Sequence, residues 1–125
     1  MRVLIVDDNA SFRQSLRELL SQQFESIQVM EAESPQEALD LVKNALPDLL
    51  LIDIDLAGQS GLELTRKVRE ELQDASIAVI THHDLPEFRE AAQKSGADYF
   101  FSKTTSEIED ILVWVENASI KIPIP

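Results

Sequence analysis

Pro47-Asp48-Leu49-Leu50-Leu51-Ile52-Asp53 decides how the rest of the chain is arranged. Leu49 to Ile52 are apolar without alternation, so both faces of the segment are covered, as in an interior strand of a parallel sheet. A carboxylate at the end of such a strand emerges at the carboxyl edge, where parallel sheets hold their ligands. Asp53 is therefore the first candidate for chemistry. Taken alone, an aspartate after a strand also suits a simple loop cap, and the neighbouring segments choose between the two.

Working outward, the segment before the strand has a capping box with proline at the first helical position, Ser34-Pro35-Gln36-Glu37, and an apolar stripe of Ala38, Leu41, Val42 and Ala45 that Pro47 ends. Before it, Ile27 and Val29 alternate with polar residues as in a strand near an edge. Arg2 to Val6 is another short apolar run, ending in Asp7-Asp8-Asn9, and Phe12, Leu16, Leu19 and Leu20 then recur at helical spacing with Arg13, Arg17 and Glu18 on the wet side. On the other side of Asp53, a loop from Ile54 to Gly61 leads to the capping box Ser60-Gly61-Leu62-Glu63 and a helix facing inward through Leu64, Val68 and Leu72.

Ile77 to Ile80 is a fourth apolar run ending in Thr81, after which Asp84-Leu85-Pro86-Glu87 caps a helix anchored mainly by Phe88, with Ala91 and Ala92 beside it. Gly96 ends that helix, Tyr99 to Phe101 form a fifth strand leading to Ser102-Lys103, and Ile108, Ile111, Leu112 and Val115 stripe the last helix. Residues from Ile120 onward are expected to be extended. The domain is expected over 1–118, with 119–125 as an extended C-terminal tail or linker remnant. Strands alternating with helices through short connections predict a doubly wound α/β fold, with a five-stranded parallel sheet between two layers of helices.

Composition narrows the function classes. At 125 residues the chain makes one domain. A net charge of −12 would repel nucleic acid and anionic lipid. No apolar run approaches the roughly 18 residues of a membrane span, and no export signal is visible. The chain has no cysteine, which excludes disulfides and thiolate metal sites and makes a reducing cytoplasm the simplest compartment.

Asp7 and Asp8 end the first strand, Asp53 the third, Thr81 the fourth and Lys103 the fifth, so an acid cluster, a hydroxyl and an amine should converge on one rim. Clustered carboxylates repel one another without a cation, and an all-oxygen set suits octahedral Mg²⁺. A lysine and a hydroxyl opposite the ion are what a transferred phosphoryl group requires, with Asp53 as nucleophile.

In these features the chain resembles the receiver domains of two-component response regulators, from Met1 to about Asn117. The acidic pair in LIVDD, the acceptor in LLLID with a loop to SGLEL, the threonine in AVITHH and the lysine in GADYFFSK occur in family order. The resemblance implies a flavodoxin-like, chemotaxis-regulator-like sheet of order 2-1-3-4-5 and a phosphoacceptor rather than a turnover enzyme. It implies that Asp53 is phosphorylated by a sensor histidine kinase or a histidine phosphotransfer protein. Asp8 and Asp53 would ligate Mg²⁺ (or Mn²⁺), Asp7 would act through water, and the Asp55 backbone carbonyl would complete the ligands. Lys103 would pair with phosphoryl oxygens, and Thr81 would swing inward with Phe100 as aromatic switch. A downstream partner or effector domain would use the face of the fourth helix, fifth strand and fifth helix, and a phosphorylation-dependent homodimer is among the assemblies implied.

This chain departs from the family pattern in places. Ala57 and Thr104 stand where many receivers have proline, leaving the backbone after Lys103 to Thr104 and Thr105 caps. His82 and His83 follow Thr81 where a small residue is usual; His82 either crowds the approach to the phosphate, with Asp55 and His83 also tuning access, or both histidines sit solvated. Asp53-Ile54-Asp55 also resembles the nucleophile and acid pair of haloacid dehalogenase-type phosphatases, although here the acidic pair comes first and no cap domain fits the length. A degenerate, binding-only receiver would need a functional position to be missing. A flavin binder would need a Ser/Thr-Gly-rich phosphate loop after the first strand. The last helix carries Glu107, Glu109, Asp110 and Glu116, and Trp114 either folds over the strand near Tyr99 and Phe101 or faces a partner.

Overall fold

The computed structural model describes residues 1–56, 59–83, 85–103 and 108–121. Its elements are β1 (Arg2–Val6), α1 (Ala10–Gln23), β2 (Gln28–Ala32), α2 (Pro35–Ala45), β3 (Leu49–Asp53), β4 (Asp55–Leu56), β5 (Gln59–Ser60), α3 (Gly61–Glu71), β6 (Ser76–Thr81), α4 (Pro86–Lys94), β7 (Tyr99–Ser102) and α5 (Ile108–Lys121). The main sheet is parallel with order β2-β1-β3-β6-β7, which is 2-1-3-4-5 when its own strands alone are counted. The segment expected as a plain loop after Asp53 instead holds a two-stranded antiparallel pair, Asp55 opposite Ser60 and Leu56 opposite Gln59.

Alternation along each strand sorts the core into two layers, because successive side chains point to opposite faces. Leu49, Leu51, Ala78 and Ile80 pack with Leu16 and Leu20 of α1 and with Ile111 and Val115 of α5. Leu50, Ile52 and Ile77 pack on the other face with Ala38 and Val42 of α2 and Leu64 and Val68 of α3. All five residues of β3 are buried, which accounts for the unbroken apolar run. α4 rests on a much smaller group, Ile54, Val79 and Ala92, with Phe88 and Phe100 partly buried against it. Ala92 is the one buried residue of α4, and Phe88, expected as the main anchor, is only partly buried, so the packing of this helix is thin.

Several local expectations change. Arg13, placed on the wet side, has a side chain only 13% exposed and pairs with Glu31 at 3.1 Å. The Ser34 box closes one residue early, because the Glu37 carboxylate accepts from the Glu33 amide at 2.9 Å. Ser60 caps the Leu62 amide at 3.2 Å, while Glu63 pairs with Arg66 at 3.6 Å. The N-cap of α4 is Leu85, without a side-chain cap bond, and Asp84 lies outside the described residues. α5 runs to Lys121, so 119–121, read as extended, continue the helix; residues 122–125 and the Thr104, Thr105 and Glu107 positions lie outside the described residues. Trp114 folds inward, its Nε1 donating to Ser76 Oγ at 3.0 Å and its ring 6.1 Å from Tyr99 and 6.0 Å from Phe101.

Leu46 closes α2 in the left-handed region at φ 48° while 60% exposed. That conformation strains a residue bearing Cβ, and exposure leaves little packing to offset it. Leu46→Gly should therefore raise stability by about 0.5–1 kcal/mol, a net value because glycine also loosens the unfolded chain. The urea midpoint should rise at constant m; a lower midpoint would show that the leucine side chain holds the turn.

Candidate functional site

Strand order reverses between β1 and β3, since the chain leaves β1 for β2 on one side and returns to β3 on the other. The crevice at this reversal is where a doubly wound sheet binds. Asp7 directly follows β1 there and Asp53 ends β3. The carboxylates of Asp7, Asp8 and Asp53 offer oxygens all within 4.8 Å of one another. Asp7 is fully buried, Asp53 is 3% exposed and Asp8 is exposed.

Each buried carboxylate is oriented by a backbone amide two residues ahead: Asp7 Oδ1 accepts from Asn9 and Asp53 Oδ1 from Asp55, both at 2.9 Å. Their other oxygens face one ammonium, with Lys103 Nζ 2.7 Å from Asp7 Oδ2 and 3.3 Å from Asp53 Oδ2. The Lys103 amide donates to the Thr81 carbonyl at 2.8 Å, so the end of β6 fixes where the lysine starts. Burial pushes the Asp53 carboxyl up to about 6; the Asp55 amide opposes that, the Asp7 charge adds to it, and Lys103 pulls it back. For Lys103, burial disfavours the charge, but the hydrogen bond to Asp7 and the charges of Asp53 and Asp7 outweigh it and raise its pKa.

Thr81 is buried and joins Asp55 to the segment that leads into α4. Its Oγ1 donates to Asp55 Oδ2 at 3.1 Å and accepts from the His83 amide at 3.1 Å. His82 and His83 are both exposed. His83 Nε2 lies 3.7 Å from Asp55 Oδ2 and its ring 5.9 Å from Phe88, while His82 lines a cavity beside Lys103. Phe100 is half-buried on β7, with the Arg89 guanidinium 4.7 Å over its ring. The structure thus brings Asp7, Asp8, Asp53, Asp55, Thr81, His83 and Lys103 onto one rim and leaves Phe100 on the adjoining α4 side.

Three contributors escaped sequence reasoning. Arg13 Nη1 donates to the Asp7 carbonyl, tying α1 to the acid pair. Phe12, assigned to the core, puts its ring 4.6 Å from Lys103 Nζ. Gly61, read only as part of a cap, abuts the Asp53 carbonyl so closely that a Cβ would lie 2.0 Å from that oxygen. The ring contact and the close approach come from strands and helices meeting in space, and no local pattern announces them.

As a ligand set, three hard carboxylates converging from two strand ends suit a divalent cation of the Mg²⁺ type, and the ammonium between two of them shows that the position favours positive charge. The same grouping can hold a phosphoryl group, since a nucleophilic carboxylate, an amine and a hydroxyl lie within one rim.

The family model of the response regulator receiver domain matches residues 3–115. Among curated relatives, the response regulator MprA of Mycobacterium sp. (strain KMS) is 37% identical over 112 residues, covering 90% of this chain and 47% of the relative. The transcriptional activator protein ExaE of Pseudomonas putida is 36% identical over 106 residues, covering 85% of this chain and 50% of the relative. The chain spans about half the length of these curated relatives. A solved response regulator protein from Burkholderia pseudomallei, with a phosphorylated aspartic acid, a calcium ion and citrate, superposes with TM-score 0.82 at 28% identity, covering 98% of this chain and 75% of that one. A CheY-like receiver domain protein from Methanospirillum hungatei gives TM-score 0.83 at 28% identity, covering 93% and 90%. From β1 into α5 the match takes in every strand of the main sheet, and the chain belongs to the response regulator receiver domains.

Proposed function

We propose that Asp53 is the residue through which this receiver domain accepts phosphoryl groups in two-component signalling. The observation that carries the reading is the Lys103 ammonium bridging Asp7 and Asp53 at the sheet's reversal point. The donor is a phosphohistidine of a sensor histidine kinase or a histidine phosphotransfer protein. An Asp53 carboxylate oxygen attacks phosphorus, and the P–N bond to the donor imidazole breaks with its electron pair going to nitrogen, which takes up a proton. A carboxyl–phosphoryl anhydride remains on Asp53. Mg²⁺ (or Mn²⁺) at Asp7, Asp8, Asp53 and the Asp55 carbonyl would supply positive charge for the phosphoryl oxygens. Lys103 shifts from its carboxylate partners to a phosphoryl oxygen, and burial of Asp53 and Thr81 limits water at the acceptor.

Thr81 leaves Asp55 for the phosphoryl group in one of two packings, and Phe100 follows, which biases the face of α4, β7 and α5 towards a downstream partner, an effector domain or a second copy. A phosphatase in which Asp55 served as general acid would need that carboxylate at the nucleophile, whereas it is turned to Thr81. The chain thus acts as an acceptor with at most slow self-catalysed turnover. A cytoplasmic setting fits the absence of cysteine, and no described helix is long and apolar enough to cross a membrane.

Intact mass after incubation with Mg²⁺ and acetyl phosphate tests this directly. The wild type should gain roughly 80 Da, and neither the EDTA-treated protein nor Asp53→Ala should. Steady release of phosphate without mass gain would revive the phosphatase, and a gain that survives Asp53→Ala would move the acceptor elsewhere. His82→Ala should raise the acetyl phosphate labelling rate by about two- to five-fold if the imidazole crowds the donor's approach, a difference of under about 1 kcal/mol. An unchanged rate would leave His82 as a solvated loop residue.

A further inference from the structure

Phe12 stands in the first turn of α1, held there by Asn9, whose Oδ1 accepts from the Phe12 amide at 3.2 Å. Part of its ring packs against the cluster of α1 and α5. The remainder faces Lys103, with Nζ 4.6 Å from the ring centroid. Phe12 and Lys103 share a cavity of about 210 Å³ with Asn9, His82, Ile108 and Ile111. The Lys103 side chain is only 8% exposed, so on this side the ammonium lies against an aromatic face.

Two of the ammonium's neighbours are the Asp7 and Asp53 carboxylates. In the acceptor reading both have other work during transfer, one with the metal and one as the nucleophile. Metal binding and attack on phosphorus would draw on the same carboxylate oxygens and weaken their hold on the amine. The Phe12 ring has no such competing role. A ring face attracts an ammonium through its quadrupole without demanding one hydrogen-bond direction, so the head can pivot while remaining held. The adjoining cavity gives that pivot room.

We propose that Phe12 is a positioning residue for phosphoryl transfer: its ring keeps the Lys103 ammonium within reach of the phosphoryl group once Asp7 and Asp53 are engaged elsewhere. The proposal rests on the acceptor reading of Asp53. It ties the first turn of α1 to the chemistry through an attraction that an aliphatic side chain of similar volume cannot supply.

The full chain with Phe12→Leu and Phe12→Trp separates positioning from packing. Labelling rates would be measured against acetyl phosphate concentration with Mg²⁺, and the Lys103 ammonium followed by NMR on ¹⁵N-lysine protein. Phe12→Leu should lower the saturating rate by about three- to ten-fold with half-saturation within about two-fold, and Phe12→Trp should restore it. The Lys103 ammonium should show an aromatic ring-current shift in the wild type and Phe12→Trp that disappears in Phe12→Leu. A wild-type rate in Phe12→Leu, or an unchanged ammonium signal, would overturn the proposal. So would equal losses in both variants that track their melting temperatures. A wild type that takes no label would instead remove the acceptor reading, and Phe12's role with it.

Discussion

Gly61→Ala should cost about 3 kcal/mol or more, a loss at the upper end of what overpacking produces. The added Cβ would lie 2.0 Å from the Asp53 carbonyl oxygen and 2.8 Å from both Asp53 C and Ile54 Cα. All three are backbone atoms, so no side chain can rotate away. Nor can α3 retreat freely: the Gly61 amide donates to the Ile54 carbonyl at 2.9 Å, and its own carbonyl accepts from the buried Thr65 hydroxyl at 2.7 Å. Relief must come from moving the residue that bears the acceptor carboxylate. Urea unfolding should show a lower midpoint at nearly constant m, and the folded fraction should label more slowly than wild type. A loss below about 1 kcal/mol would mean that α3 and β3 can separate at no great cost.

That glycine marks where sequence legibility ends. The unbroken apolar runs Leu49 to Ile52 and Ile77 to Ile80 and the polar residues that end them are local patterns, which a chain displays directly. The convergence of Asp7, Asp53 and Lys103 follows once those runs are combined with the reversal rule, whereas the sheet order comes only with the family resemblance. The ring of Phe12 over Lys103 joins residues far apart in the chain and obeys no period. Its helical spacing was true to the core and silent about the amine. Arg13 was misplaced because its guanidinium turns back to Glu31 and the Asp7 carbonyl from a helix position that looks solvated. Trp114 stood outside its helix stripe, yet a hydrogen bond to Ser76 and two aromatic neighbours outweigh the stripe.

Lys103→Met should separate the electrostatic and catalytic work of one side chain. The ammonium lies 2.7 Å from Asp7 and 3.3 Å from Asp53 among side chains that are nearly all buried. Removing one member of a buried charge group costs about 3–5 kcal/mol when the partners stay ionised. Here one partner has an escape. Asp53 already titrates near 6 because burial raises it, and losing Lys103 removes influences that lower it. A carboxyl raised above its unfolded value of 3.8 contributes stability that is full below that value and is lost as pH rises through the folded one. In the variant this loss moves to higher pH. Lys103 itself, raised above 10.5, stays charged throughout the neutral range and adds no slope there. The deficit against wild type should therefore be smallest near about pH 5, where Asp53 takes up a proton, and grow towards about 3 kcal/mol by about pH 8. Adding Asp53→Asn should recover much of it, and Mg²⁺ should stabilise the single variant by replacing the missing positive charge. Labelling by acetyl phosphate should fall by about 100-fold or more even where Mg²⁺ restores the fold, because the phosphoryl oxygens lose a preorganised donor. A deficit flat across pH would show that Asp53 does not titrate in the folded chain, and a labelling rate within about three-fold of wild type would remove Lys103 from the transfer step.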